Sequence, residues 1–186
     1  VFPELCLTGY TCGDLFLQDS LLRGAEQALT RVLDASARHA IVLVVGMPFR
    51  LGGALYNVAA VICRGKLLGL VPKHNIPNYS EFYEARHFTS GRGIQPMTVQ
   101  VCGQETLFGD GLLFRCTGLS SFVLGCEICE DLWVANPPSS YLSAAGATVI
   151  ANPSASDETI GKAAYRRELV KGQSARLLCG YVYADA

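Results

Sequence analysis

The stretch G-C-E-I-C-E-D-L-W, Gly125 to Trp133, closes an apolar run with two cysteines three positions apart and acidic residues around them. The run from Ser121 to Cys129 has the composition of a strand. Alternation along it puts Phe122, Leu124, Cys126 and Ile128 on one face and Val123, Gly125, Glu127 and Cys129 on the other. Thiols on opposite faces cannot share a metal ion or close a disulfide unless the strand ends between them. No second cysteine pair is present, and the other cysteines with His39, His74 and His87 show no ligand spacing, so neither a zinc nor a redox site is expected. Cys126 fits the core side. Cys129 keeps two readings. It is either the last buried residue of the strand, or a thiol at a strand-to-helix turn, where open α/β sheets place ligands and where the next N–H groups can hold an oxyanion.

Two groups elsewhere bear on that choice. Glu4, between Val-Phe-Pro and Leu-Cys-Leu, sits in an apolar setting that would desolvate a carboxylate and raise its pKa toward the range of a general base. Lys73 follows L-L-G-L-V-P at another strand end, where its charge can stabilise a tetrahedral oxyanion. Taken singly, each reads as well as an ordinary loop carboxylate or a surface lysine. Three reactive types at three strand ends make a catalytic constellation. A Cys129 activated in this way is expected to label faster near neutral pH than the other seven cysteines.

The surrounding pattern is α/β with a mixed sheet. A strand end over residues 1–8 leads through a Gly-rich loop to a helix capped by Asp19 or Ser20, with Leu21, Leu22, Ala25, Ala28, Leu29, Val32 and Leu33 on its apolar stripe. Ile41 to Gly46 reads as a central strand. Leu55 to Cys63 and Lys66 to Val71 read as a hairpin turning at Arg64-Gly65. Pro72 to Gly93 is a loop with a short helix at Ser80 to Ala85; Thr98 to Cys102 and Gly111 to Cys116 are further strands. Pro137 to Ala145 forms a helix, Ala147 to Ala151 a strand, Ile160 to Leu178 a helix ended at Gly180, and Tyr181 to Ala184 a last strand. Strands alternating with helices, interrupted by hairpins and free of repeats or linkers, make one domain, residues 1–186.

Composition narrows the function. The 186 residues are half apolar, 17% charged and carry a net charge of −1, which excludes disorder and, with no basic cluster, argues against nucleic acid as a partner. Arg166 and Arg167 read as a solvated helix face. The longest apolar run, from Ala40 through Met47, is strand-sized, so no membrane span is expected. Most of the eight cysteines, Cys6, Cys63 and Cys116 among them, lie in apolar runs and read as small buried hydrophobes in a reducing, cytoplasmic setting. The opening V-F-P-E-L reads as the interior of a longer sequence.

F-P-E-L, V-P-K and E-I-C-E-D resemble, in order and in spacing, the Glu–Lys–Cys motifs of the nitrilase (carbon–nitrogen hydrolase) superfamily. L-T-G-Y, P-K-H-N-I-P-N-Y-S-E-F-Y-E, C-E-D-L-W and A-N-P-S-A-S followed by G-K and R-R are most similar to the glutaminase domains of glutamine-dependent NAD synthetases. The resemblance implies a four-layer α-β-β-α sandwich and a triad of Glu4, Lys73 and Cys129, with Glu84 as a second carboxylate. It implies that Tyr79, Glu130, Ser156 and Lys162 contact glutamine; for Lys162 an arginine can fill the matching place. It also implies thioester chemistry needing no metal or organic cofactor. ATP and Mg would belong to a synthetase domain that amidates nicotinic acid adenine dinucleotide and whose Ser-Gly-Gly nucleotide loop is not in this sequence. Assembly into a homo-oligomer is expected. So is the loss of a first strand–helix segment and of the domain's last part, leaving a sheet edge bare or covered by neighbouring chains. Two other readings stand beside this one: a free-standing amidase for another small amide, and a non-catalytic fragment that binds or assembles.

Overall fold

The computed structural model describes residues 1–186 and contains two sheets, each with helix on its outer side. Helix α1 (Asp19–Ser36) buries Leu22, Ala25, Leu29 and Leu33 of the stripe that its spacing predicts, while Leu21, Ala28 and Val32 at the margins are half-buried. It starts after Gln18 without a side-chain cap, so neither Asp19 nor Ser20 plays the capping role expected of it. Asp19 lies instead in the first turn, where negative charge favours the helix dipole, and pairs with Arg50 at 2.5 Å.

The first sheet holds β1 (Val42–Leu51), β2 (Ala54–Cys63), β3 (Lys66–Pro72), β4 (Met97–Val101) and β5 (Gln104–Phe108) in the order β1-β2-β3-β5-β4. All neighbours are antiparallel except β3 and β5. The β2–β3 hairpin turns at Arg64-Gly65 as expected, both with positive φ (50° and 75°), the conformation a two-residue turn needs to follow strand twist. Cys102-Gly103 repeats this geometry (51° and 72°) and makes β4–β5 a second hairpin. The sequence reading ran a strand through Cys102 and missed β5, because only Thr106 and Phe108 of that strand are buried and its apolar signal is thin.

The second sheet holds β6 (Leu113–Arg115), β7 (Val123–Cys126), β8 (Val149–Pro153) and β9 (Gly180–Ala184), with β7, β8 and β9 parallel. Helix α2 (Pro138–Ala144) connects β7 to β8, and α3 (Lys162–Leu177) connects β8 to β9. Strand alternation sorts the core into layers. Val45, Met47, Val58, Ala60 and Ile62 face α1, whereas Val44, Ala59, Val61 and Val71 meet Leu124, Cys126 and Ala151 of the second sheet. Leu142, Ala147, Ile150 and Cys179 fill the far layer under α2 and α3. The result is the four-layer α-β-β-α sandwich.

Several local expectations are corrected. Residues 1–8 are not a strand end but a turn, held against β1 by Phe2 N–H to the Val44 carbonyl (2.8 Å) and Leu7 N–H to the Gly46 carbonyl (3.1 Å). The helix expected at Ser80 to Ala85 is one 3₁₀ turn, Glu84–Arg86. The strand expected to reach Cys129 stops at Cys126. Helix α3 ends with Leu178 in the left-handed region, and Gly180 already belongs to β9. Arg166 is not merely a solvated face, since it pairs with Glu158 (2.8 Å) and Asp185 (2.7 Å). Cys116 is exposed and Cys6 and Cys63 are half-buried, so the apolar runs around them overstated their burial. Beside α1 and β1 lies an apolar groove of about 800 Å³, lined in part by Leu7, Val32, Ala35, Ile41 and Leu43. No helix is long and apolar enough to cross a membrane.

Candidate active site

The end of β7 decides where the two thiols go. Because the strand stops at Cys126 and a 3₁₀ turn takes over at Cys129–Leu132, the backbone swings Cys129 back, and both cysteines lie in the layer between the sheets. The opposite faces expected from alternation are therefore not observed. Both cysteines are free, and no group of three His, Cys, Asp or Glu side chains is placed to hold a metal ion. Cys129 has φ 46°, a left-handed conformation that costs an L residue about 1–2 kcal/mol. Its N–H donates to Asn152 Oδ1 at 2.9 Å. A strained, anchored turn of this kind is more than the frayed end of a strand.

Glu4 reaches the same place from the N-terminal turn, which is possible only because Gly46 has no side chain; a Cβ there would lie 2.2 Å from Leu5 N. Glu4 N–H also donates to the Ser154 carbonyl at 3.2 Å, tying this turn to the second sheet. Lys73 follows the last residue of β3. It is fully buried and donates to Glu4 Oε1 and to Glu84 Oε1, both at 2.6 Å. Asn57 Nδ2 donates to Glu4 Oε1 at 2.6 Å, and the Tyr10 hydroxyl to Glu84 Oε1 at 2.7 Å. The second oxygen of each carboxylate, Oε2 of Glu4 and of Glu84, is buried with no partner. A buried acceptor without a donor is uncommon, so both oxygens remain able to accept a further hydrogen bond.

The charges are strongly coupled. Burial alone would push Lys73 down, but the charges of Glu4, Cys129 and Glu84 outweigh it and hold the ammonium well above the ordinary lysine range. Burial raises Glu84, with Lys73 pulling the other way. Burial also pushes the Cys129 thiol up, the Glu4 charge adds to this, and Lys73, the Ser154 hydroxyl and the Ala155 N–H oppose it. Cys129 thus lies beside the Glu4 carboxylate, with the Lys73 ammonium, the Ser154 hydroxyl and the Ala155 N–H as the groups that favour negative charge on its sulfur. Cys129 is 4% exposed and burial raises its thiol, and both oppose the fast labelling expected of it, which labelling kinetics would decide.

Around this centre the other expected residues divide. The Tyr79 hydroxyl donates to Glu130 Oε2 at 2.9 Å; Tyr79 is exposed, its phenol pushed up to about 12 by burial and by Glu130, while burial raises the Glu130 carboxyl. Lys162 is ion-paired with Asp157, and its ammonium lies 5.2 Å above the Trp133 ring and 5.9 Å from that of Phe82. Ser156 is buried on the loop after β8, two residues beyond the serine that faces Cys129, and its N–H donates to Asp185 Oδ1 at 2.8 Å. Glu4, Lys73 and Glu84 are thus in direct contact and Cys129 lies beside them. Tyr79, Glu130 and Lys162 occupy the outer side.

Sequence reasoning missed Tyr10, Asn57, Asp131 and Asn152. Asp131 accepts from Ile128 N–H (3.0 Å) and from both N–H groups of Asn75 (2.8 Å each), fastening the Lys73 loop to the Cys129 turn. The signal available was a lone amide inside an apolar strand, as in L-Y-N-V-A-A at Asn57, since such a group must find a partner.

A family model described as carbon-nitrogen hydrolase matches residues 1–180. The chain belongs to the carbon–nitrogen hydrolase family. Among carbon–nitrogen hydrolase relatives, the glutamine-dependent NAD(+) synthetase of Mycobacterium tuberculosis is 50% identical over 186 residues, which are all of this chain and 27% of that protein. The enzyme of the same name from Aquifex aeolicus is 32% identical over 184 residues, 99% of this chain and 29% of its own length. A solved glutamine-dependent NAD(+) synthetase from Cytophaga hutchinsonii superposes with a TM-score of 0.84 at 34% identity, over 98% of this chain and 29% of that one. An amidase from Nesterenkonia shares the fold alone, with TM-score 0.68 and 18% identity over 98% of this chain and 60% of its own. This carbon–nitrogen hydrolase chain therefore spans under a third of the length of the synthetases it matches.

Proposed function

We propose that this chain is the glutaminase part of a glutamine-dependent NAD synthetase, working through a Cys129 thioester. The observation that carries the reading is the meeting of Glu4, Lys73 and Cys129 between the two sheets, with Glu4 Oε2 unpartnered. Glu4 takes the thiol proton as sulfur attacks the side-chain carboxamide of glutamine. An ammonium has three N–H donors, and Lys73 uses two on Glu4 and Glu84; the third, with the N–H of Glu130, holds the oxyanion. Glu4 hands its proton to the leaving nitrogen, ammonia departs, and a thioester remains. Water, deprotonated by Glu4, attacks that thioester; the proton returns to sulfur and glutamate is released. Side chains and backbone carry every charge in this sequence, so it calls for no metal or organic cofactor.

Tyr79, Glu130, Ser156 and Lys162 surround the substrate in this reading, with Glu130 and Lys162 matched to the ammonium and carboxylate of an amino acid. The ammonia serves a synthetase domain that uses ATP and Mg to amidate nicotinic acid adenine dinucleotide. The 50% identity over the whole chain supports this substrate against that of a free-standing amidase. The reading also carries a cytoplasmic setting and assembly of copies through this domain.

The test is ammonia release from glutamine by the intact protein, beside its Cys129→Ala and Cys126→Ala variants. Cys129→Ala is expected to abolish release and Cys126→Ala to retain it. Release that survives Cys129→Ala refutes the nucleophile, and turnover of simple aliphatic amides in preference to glutamine refutes the substrate.

A further inference from the structure

A fully buried amide lies behind the nucleophile turn. Asn152, on β8, accepts the Cys129 N–H through Oδ1 at 2.9 Å and donates through Nδ2 to the Tyr181 hydroxyl at 3.0 Å. That hydroxyl donates in turn to Glu127 Oε1, and Glu127 Oε2 accepts the Ser139 N–H at 2.7 Å. Glu127 is almost fully buried and takes no part in the chemistry above. One of its oxygens is explained as a cap for α2, whose N-cap residue Pro137 makes no side-chain cap bond. The other is surplus to that role.

The two ends of an asparagine amide have nearly the same shape and opposite hydrogen-bonding sense, so its neighbours alone decide which end faces Cys129. Here the order is fixed from the far end. A phenol has one proton, and Tyr181 commits it to the Glu127 carboxylate. Only lone pairs remain toward Asn152, which must present its NH₂ group to Tyr181 and its carbonyl to Cys129. Turned the other way, Asn152 would set a donor against the Cys129 N–H in a site closed to water. The turn it secures is the strained one, with Cys129 at φ 46°.

We propose that Glu127, Tyr181 and Asn152 form a directional hydrogen-bond relay that positions the Cys129 turn for attack, Asn152 holding the turn and the other two fixing the sense of Asn152. None of the three touches the reacting atoms, so all are positioning residues. The proposal rests on the reading of Cys129 as nucleophile.

The relay is tested in the intact protein with Tyr181→Phe, which removes one oxygen and keeps the ring. Assays are run at about pH 8, above the value of about 7 to which burial pushes Glu127, so that its carboxylate is charged. The kcat for glutamine falls on the order of 10- to 100-fold, as expected of a misplaced reacting group, with KM little changed. Hydrogen–deuterium exchange in peptides covering Cys129 becomes faster. In an Asn152→Asp background, whose carboxylate offers an acceptor in either orientation, Tyr181→Phe adds no further loss. Wild-type kcat and exchange in Tyr181→Phe, or an equal penalty in both backgrounds, overturns the relay. If the unaltered protein releases no ammonia from glutamine, the substrate assignment fails, and exchange at Cys129 still decides the relay.

Discussion

Cys126 and Cys129 have the same side chain and share one buried layer, and only their backbone and neighbours separate them. Burial pushes the Cys126 thiol up to about 12, with the Glu127 charge adding to it, and no donor turns toward its sulfur. Cys129 has Lys73, Ser154 and Ala155 working against its burial. Glu127 shows the same physics in a carboxyl, raised from 4.5 to about 7 chiefly by desolvation. A carboxyl raised on folding binds its proton more tightly in the native state, so its burial costs nothing below about pH 4.5 and the full amount above about pH 7. At about 1.4 kcal/mol per pH unit, that is on the order of 3 kcal/mol. Glu127→Gln removes the titration. Its stability relative to the unaltered protein is therefore expected to rise by that order between about pH 5 and pH 8, measured by urea unfolding. A difference that is flat with pH would show that Glu127 stays charged on burial. The convergence of Glu4, Lys73 and Cys129 was legible because each is a reactive type beside an apolar run. Asn57 and Asn152 were not, since their meaning lies in partners 53 and 23 residues away.

At the scale of elements, helix stripes and the Arg64-Gly65 turn were readable because they are local patterns. The N-terminal turn was not, because its shape is set by a strand it meets across 40 residues, where Cys6 Sγ lies 3.7 Å from the Gly46 carbonyl. Gly46 is the point of closest approach: a Cβ would meet Leu5 N at 2.2 Å and both the Glu4 carbonyl carbon and the Pro3 oxygen at 2.9 Å, all backbone atoms that cannot swing aside. Gly46→Ala is expected to destabilise the fold by about 1–3 kcal/mol, as overpacking does, and to cut ammonia release by far more than the unfolded fraction explains, because the displaced turn carries Glu4. Thermal unfolding and turnover of the same preparation check it. Normal turnover in the folded fraction would mean that Glu4 need not be held this closely. The missed β4–β5 hairpin has a similar cause, since a cysteine in a left-handed turn gives no signal of the Asn-Gly kind.

At the scale of the whole molecule, the site is split between layers: Lys73 follows β3 and Glu4 sits on the turn held against β1 of the first sheet, while Cys129 follows β7 and Asn152 lies on β8 of the second. In the proposed reading the packing between sheets sets the distances from Cys129 to Glu4 and Lys73, and the packing under α1 does not. Val58 and Val61 allow a clean comparison, because both are fully buried on β2, one facing α1 and the other the second sheet. Val58→Ala and Val61→Ala are each expected to cost about 2 kcal/mol of stability, but only Val61→Ala to lower kcat at a temperature where both remain folded. Equal kcat in the two would show that the inter-sheet layer tolerates a cavity without moving the site. The α/β class was legible from the alternation of strand and helix and the four layers only through the family resemblance; the division of the site between layers was not, because nothing local says which sheet a strand joins.

The distribution of thiols by depth has a practical consequence. Cys116 alone among the eight cysteines is exposed, while Cys126, Cys129 and Cys179 are buried. Air oxidation is expected first at Cys116, as a bridge between two molecules that disappears on a reducing gel and leaves ammonia release unchanged. Oxidation of the buried Cys129 is expected to follow on its own clock, set by how often the sandwich opens enough to let peroxide reach it.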